Sequence, residues 1–152
     1  MIATSLRPVG RNLGTLSFAS TLYLRPILDL LLAEVPPHWQ AELRLGLQEA
    51  LVNAVRHGNN LNPAKQVTIQ FSVTSQQYLW IITDQGCDQD FDLDSQLNCQ
   101  QESAAQAPCC DSECGRGLYI LHQIFDRVDW NRYKRQLHLY KQMKRFSQPI
   151  IQ

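Results

Sequence analysis

The stretch E-L-R-L-G-L-Q-E-A-L-V-N-A-V-R-H-G, residues 42–58, decides how the rest of the chain is read. Wound as a helix, it places Leu43, Leu47, Ala50, Leu51 and Ala54 on one stripe, the spacing of a core-facing side. Glu49, Asn53 and His57 follow one another at i, i+4 and i+8 and form a second row beside that stripe. A carboxylate, a carboxamide and an imidazole along the edge of a buried face suit a site better than a core. Gly58 stands where a C-cap glycine is expected to end the helix.

The elements on either side follow from periodicity and turn chemistry. Residues 13–19 alternate weakly and read as a first strand. Ser20 and Thr21 are placed to cap a helix running to about Val35, with Leu24, Ile27, Leu28 and Leu31 inward and Pro26 in its first turn. Pro36-Pro37 stops that helix before the organising one begins. Residues 59–63 are a loop by composition. Val67, Ile69, Phe71 and Val73 then alternate with polar residues as a strand with one dry face. Tyr78 to Thr83 are apolar on both faces and predict a central strand, paired to the previous one as a hairpin.

From Cys87 to Glu113 the chain is polar and without period, a length of loop that suits a lid, and the lid is placed at about 87–114. Gly115-Arg116-Gly117 then starts an apolar helix carrying Leu118, Leu121, Ile124 and Phe125. Two strands, around residues 128–131 and 136–143, close the chain across a basic turn. The order predicts an α+β fold: an α/β sandwich of a mixed β-sheet with helices on one face, one domain over residues 1–152 with its core at about 13–143.

Composition narrows the function classes. With 44% hydrophobic residues over 152, the chain can bury a sizeable core. Fourteen basic and fourteen acidic residues cancel, so bulk charge points to no direct nucleic-acid and no membrane partner. The locally basic run with Arg132, Lys134, Arg135, Lys141 and Lys144 alternates like a strand and reads as a solvated face. No apolar run approaches the ~20 residues of a membrane span. The N-terminus lacks a charged-then-apolar signal pattern, so a cytoplasmic protein is expected. The cysteines are five, all between Cys87 and Cys114, without paired knuckles or a histidine at zinc-finger spacing. Reduced thiols in a loop are the expectation.

Three segments carry chemistry: Glu49/Asn53/His57 on a helix, Asp84-x-Gly86 after a central strand, and Gly115-x-Gly117 at a helix start. Each alone has a plain reading as surface residues, a turn, or a flexible helix start. Together and in this order, they resemble the GHKL (histidine-kinase-like) ATPase superfamily, most closely its anti-sigma factor serine/threonine kinase branch. E-A-L-V-N-A-V-R-H-G is similar to the branch's asparagine box, D-Q-G to its first glycine box, and E-C-G-R-G-L-Y-I-L to its second. The resemblance covers about residues 13–143 and implies the histidine-kinase-like ATPase fold of Bergerat type.

It further implies ATP and Mg²⁺ as cofactors, with Asn53 as an oxygen ligand to Mg²⁺, a hard cation that keeps several waters. Glu49 would be the catalytic base toward an attacking hydroxyl, and Asp84 would accept the adenine amino group. Gly86 would let backbone approach the base. Gly115 and Gly117 would expose N–H groups to phosphate at a helix N-terminus, with Arg116 reaching the terminal phosphate and Leu118 beside them. His57 and Arg56 fit the nucleotide end of the helix and fit equally well as charges complementing the helix dipole. Where relatives have a second glycine in the first box, this sequence has Asp88, whose side chain restricts the backbone. No counterpart is evident for the threonine that many relatives carry on a late strand near the adenine.

The implied function is an ATP-dependent protein serine/threonine kinase acting as an anti-sigma regulatory factor. Its expected partners are an anti-sigma-factor antagonist as phosphoacceptor and a sigma factor of RNA polymerase, with a homodimer contact from the sheet's solvent face or the first helix. Two other readings stand beside it. One is a non-catalytic adenine-nucleotide-binding regulatory module, motivated by Asp88. The other is a thiol or metal sensor acting through the cysteine-rich lid.

Overall fold

The structure is a computed structural model and describes residues 3–7, 12–86 and 113–143. In chain order it comprises β1 (Ala3–Arg7), β2 (Asn12–Ala19), α1 (Arg25–Leu31), α2 (Pro37–Asn53), a π-helical turn (Ala54–Gly58), β3 (Gln66–Val73), β4 (Gln77–Thr83), α3 (Glu113–Ile124), β5 (Arg127–Asn131) and β6 (Gln136–Gln142). The strands form one six-stranded sheet in the order β1-β2-β3-β4-β6-β5. Of the expected lid, residues 87–112, with Asp88 and four of the five cysteines, lie outside the described residues, as does Lys144, while its last two residues belong to α3. Cys114 falls in the first turn of α3.

The α+β architecture with a helix layer on one sheet face is as the sequence predicts, and β4 is central. The expected mixed sheet is corrected: every pairing among the described strands is antiparallel. α3 returns the chain so that β5 runs in the direction of β4. β6 then comes back by a tight hairpin and inserts between them, which makes both of its pairings antiparallel. The edge strand β1, which the weak pattern of residues 3–7 did not announce, pairs with β2 from Ala3↔Ser17 to Arg7↔Leu13.

Register follows from burial of alternate residues. Leu16, Ile69, Ile82 and Leu137 are cross-strand neighbours in one row, and Phe71, Trp80 and Leu139 in the next. Both rows face the helices and join Leu28, Leu31, Leu43, Leu47, Leu51 and Leu121 in one core. A one-residue slip would turn all of them to solvent. The opposite face carries Ser17, Thr68, Thr83 and Gln136 in one row, with Ser17 Oγ and Thr68 Oγ1 3.0 Å apart.

Two helix boundaries differ from expectation. α1 spans only Arg25–Leu31 and has no side-chain cap. Ser20 is drawn away, its hydroxyl donating to the Lys65 carbonyl at 3.0 Å, so the chain starts the helix later. Pro26 does sit in the first turn, where its missing N–H is harmless. α2 begins directly at Pro37 for the same reason. At its far end the helix widens into the π turn, the Asn59 N–H reaching the Ala54 carbonyl at 2.8 Å.

An aromatic series ties the layers together. The Tyr78 and Trp80 rings stack at 5.7 Å, Trp39 meets Tyr78 edge-on at 6.2 Å, and Phe125 meets Trp80 edge-on at 5.8 Å. Burial pushes the Tyr78 hydroxyl above its ordinary 10.0, and the Glu34 carboxylate adds to the shift. Folding therefore favours the neutral phenol. That contribution is intact below pH 10.0 and is lost as pH rises from there through the folded-state value. Tyr78→Phe should remove this part of the alkaline loss, seen as a flatter dependence of the denaturant midpoint on pH above 10.0. An unchanged slope would assign the loss to other groups.

Of the basic run, Arg132 and Lys134 are exposed as expected. Lys141 is not: it donates to the Ile124 carbonyl at the end of α3 at 2.6 Å and to Glu42 at 3.3 Å, with its side chain 13% exposed. A cation on a helix C-terminus complements the orphan carbonyls and dipole there.

Candidate functional site

α2 and α3 cross antiparallel, and two glycines let them approach. A Cβ on Gly46 would lie 2.6 Å from Phe125 Cε2, and one on Gly117 would lie 3.1 Å from Asn53 Nδ2. The same atom on Gly117 would be 3.6 Å from Glu49 Oε2. Glu49 and Asn53, one turn apart on α2, therefore stand together under the first turns of α3. Both are half-buried.

From the sequence, Gly115 and Gly117 alike are expected to present N–H groups. α3 begins at Glu113, so Gly117 is its fifth residue and its N–H has the Glu113 carbonyl as helical partner. Gly115 remains within the first turn, whose N–H groups have no partner inside the helix. Gly117 contributes space rather than a donor: with no side chain, it leaves the Asn53 amide uncovered. Arg116 and Leu118 are exposed.

His57 lies in the π turn and, unlike Glu49 and Asn53, is exposed. The π turn after Asn53 holds more residues per turn than an α-helix, so the regular i to i+4 spacing does not carry through it. Gly58 is corrected as well. Gly86, not Gly58, is the glycine with positive φ (77°) among the described residues, so Gly58 is no left-handed C-cap. Its reason is contact: a Cβ there would lie 2.4 Å from Asp84 Cγ and 2.5 Å from Oδ2. The end of the organising helix thus packs backbone against the carboxylate that follows β4.

Asp84 is only 7% exposed. Its Oδ1 accepts the Gly86 N–H at 2.9 Å, closing a turn that needs the left-handed conformation glycine supplies. The same oxygen accepts Nε of Arg135 at 2.6 Å, from the β5–β6 turn. The Asp84–Gly86 turn is anchored elsewhere too. The Lys65 ammonium donates to the Gly86 carbonyl at 2.6 Å, and the Gln66 N–H donates to the Gln85 side chain at 2.7 Å.

Asn59 is the hub of that anchoring and was not singled out in the sequence. Fully buried, it donates to Ser20 Oγ and the Gln66 carbonyl, both at 2.9 Å, and accepts the Gln85 N–H at 2.8 Å. One carboxamide joins β2, β3, the end of the π turn and the loop after β4. The Gly58-Asn59-Asn60 composition signals a turn, but nothing local signals partners 26 and 39 residues away. Asn59→Ala should cost about 1–3 kcal/mol by leaving buried groups unpaired. Chemical denaturation measures it, and a loss under about 0.5 kcal/mol, the range of ordinary surface substitutions, would deny Asn59 that role.

The folding chain thus brings Glu49, Asn53, Gly117, Gly58, Asp84 and Gly86 to one end of the α2–α3 pair, above the end of the central strand. It pairs a half-buried carboxylate and carboxamide on one side with a buried, oriented carboxylate on the other. No group of three or more His, Cys, Asp or Glu side chains able to hold a metal occurs among the described residues. No described helix is long and apolar enough to cross a membrane.

The family profile of the histidine kinase-like ATPase domain matches residues 24–141, which contain all the elements of the site. The serine-protein kinase RsbW of Bacillus velezensis is 32% identical over 91 residues, 57% of this chain and 54% of the relative. RsbW of Bacillus subtilis is 31% identical over 91 residues, with the same coverage. The chain spans about half the length of the curated relatives it matches. With the asparagine-bearing helix, the buried aspartate after the central strand and the glycine-bearing helix in one antiparallel α+β frame, the chain belongs to the histidine kinase-like ATPase domain family.

Proposed function

We propose that this chain is a single histidine-kinase-like ATPase domain that works as an ATP- and Mg²⁺-dependent protein serine kinase. Its relatives are serine-protein kinases. The observation that carries the reading is the placement of Glu49 and Asn53 side by side beneath Gly117, at the start of α3. The residues present fit a bound magnesium nucleotide. A Cβ on Gly117 would fill the space over the Asn53 amide, and the amide oxygen is the neutral, hard ligand Mg²⁺ accepts alongside its waters. Bound there, Mg²⁺ would supply positive charge to offset that of the phosphates.

The rest falls to the chain's own groups. The backbone N–H groups of the first turn of α3, Gly115 among them, stand at a helix N-terminus, where anions are stabilised. Arg116, exposed beside them, reaches toward the terminal phosphate. Asp84, held by the Gly86 N–H, presents an acceptor to the adenine amino group, and Gly86 keeps the base's edge clear. Leu118 and the exposed His57 flank the nucleotide. Glu49 takes the proton from the attacking serine hydroxyl as its oxygen bonds to the terminal phosphorus and the bond to the departing diphosphate breaks.

The phosphoacceptor in this reading is an anti-sigma-factor antagonist, and the chain acts as an anti-sigma factor in the cytoplasm. It exchanges a sigma factor for that antagonist and forms a homodimer. Calorimetric titration of ATP with and without Mg²⁺ tests the nucleotide site, and transfer of labelled phosphate to an antagonist protein tests the kinase. Binding that requires Mg²⁺, followed by labelled phosphoserine, is expected. Binding without transfer to any antagonist would leave a nucleotide-sensing module, and no binding would remove the reading.

A further inference from the structure

The most unusual feature of the site is what already occupies its buried carboxylate. Asp84 is boxed in. Gly58 packs against Oδ2 and the carboxyl carbon on one side, while Oδ1 takes both the Gly86 N–H and the Arg135 guanidinium. The two ion-pair partners differ in burial: the Asp84 side chain is 6% exposed and the Arg135 side chain 32%. Arg135 arrives from a hairpin turn, 51 residues away, with φ of 52°. That left-handed conformation is unfavourable for a non-glycine residue and persists where surroundings hold it. The charged hydrogen bond to Asp84 is such a hold.

We propose that Arg135 plugs the base-recognition end of the site: the adenine amino group and the Arg135 guanidinium compete for Asp84. This rests on the reading of Asp84 as the adenine acceptor. Nucleotide binding then requires the Arg135 guanidinium to give up its bond to Asp84, while Asp84 stays in place. The apparent affinity is lowered by the fraction of molecules in which the pair is open. A nucleotide-free chain is held closed at the base end by its own β5–β6 turn, and bound adenine frees that turn. Arg135 is in this sense a gating residue acting through Asp84.

The test is calorimetric titration of the full chain with adenosine, and separately with ATP and Mg²⁺, comparing parent, Arg135→Gln and Arg135→Lys. Adenosine reads the base site without phosphate charge, so lost attraction between Arg135 and phosphate does not obscure the result. With the open form populated at about a tenth, Arg135→Gln should bind adenosine about tenfold more tightly, and Arg135→Lys should fall between it and the parent. A purely structural arginine would not give tighter binding when removed. If Arg135→Gln fails to fold by thermal unfolding, Arg135→Lys carries the test, and parent-like adenosine affinity in it overturns the proposal. Equal or weaker adenosine binding in folded Arg135→Gln also overturns it, while leaving the nucleotide site standing if Mg²⁺-ATP still binds the parent. No binding of either probe to parent or variant overturns the plug and the nucleotide site together.

Discussion

Glu49→Ala should bind ATP as the parent does and lose phosphate transfer by about 100- to 10,000-fold, the range that a positioned general base supplies. Its neighbour should behave in the opposite way: Asn53→Ala should lose Mg²⁺-dependent ATP binding itself. Both side chains lie close to where a Cβ on Gly117 would be, within 3.6 and 3.1 Å, so they share one local environment. A difference between the two variants therefore separates proton removal from ion holding, rather than two parts of the fold. Titration calorimetry with Mg²⁺ and single-turnover transfer of labelled phosphate read the two effects. Equal transfer rates in Glu49→Ala and the parent would place the base elsewhere, and intact Mg²⁺-dependent binding in Asn53→Ala would remove its role as ligand.

The second large effect is expected at a residue with no functional group. Gly58→Ala places a methyl group 2.4 Å from the Asp84 carboxyl carbon, closer than side-chain atoms tolerate. The neighbour that must yield is buried, bonded to Gly86 and Arg135, and has little freedom to move. Overpacking of this kind costs about 1–3 kcal/mol. Displacing a recognition group by about 1 Å can cost about 100-fold in rate. We expect a lower denaturation midpoint together with weaker ATP binding. If Gly58→Ala keeps the parent's stability and affinity, the close packing of the π turn on Asp84 has no functional weight. The same change at a left-handed C-cap glycine would be strained by φ instead. Gly58 is thus constrained by space and Gly86, at φ 77°, by conformation.

How much of this was legible before folding differs from residue to residue. The Glu49–Asn53 pair was legible because both lie on one regular helix, where i to i+4 spacing fixes adjacency. His57, at the next step of the same arithmetic, falls where the helix widens after Asn53, and a single π turn leaves no mark in the hydrophobic period. The strands β3 and β4 and their hairpin were legible from alternation and from a run apolar on both faces. The other antiparallel partner of β4, β6, was legible as a strand but not as a neighbour. Which strand inserts beside β4 depends on the path of the chain through α3, not on anything in residues 136–142.

By itself, the sequence determined the periodic elements, the helix layer on one sheet face, the family's three motifs and the glutamate–asparagine pair. These are properties of residues within one turn or one strand of each other, where backbone geometry converts spacing directly into position. Only the tertiary structure decided that Gly58 exists for contact with Asp84, that Asn59 holds four segments together, and that Lys141 closes the end of α3. It also decided that Arg135, read from charge pattern as a solvated residue, bonds to the buried Asp84. Each of these depends on groups that meet across long intervals of chain. A charge or a glycine carries no sign of which distant partner the packed core will bring to it.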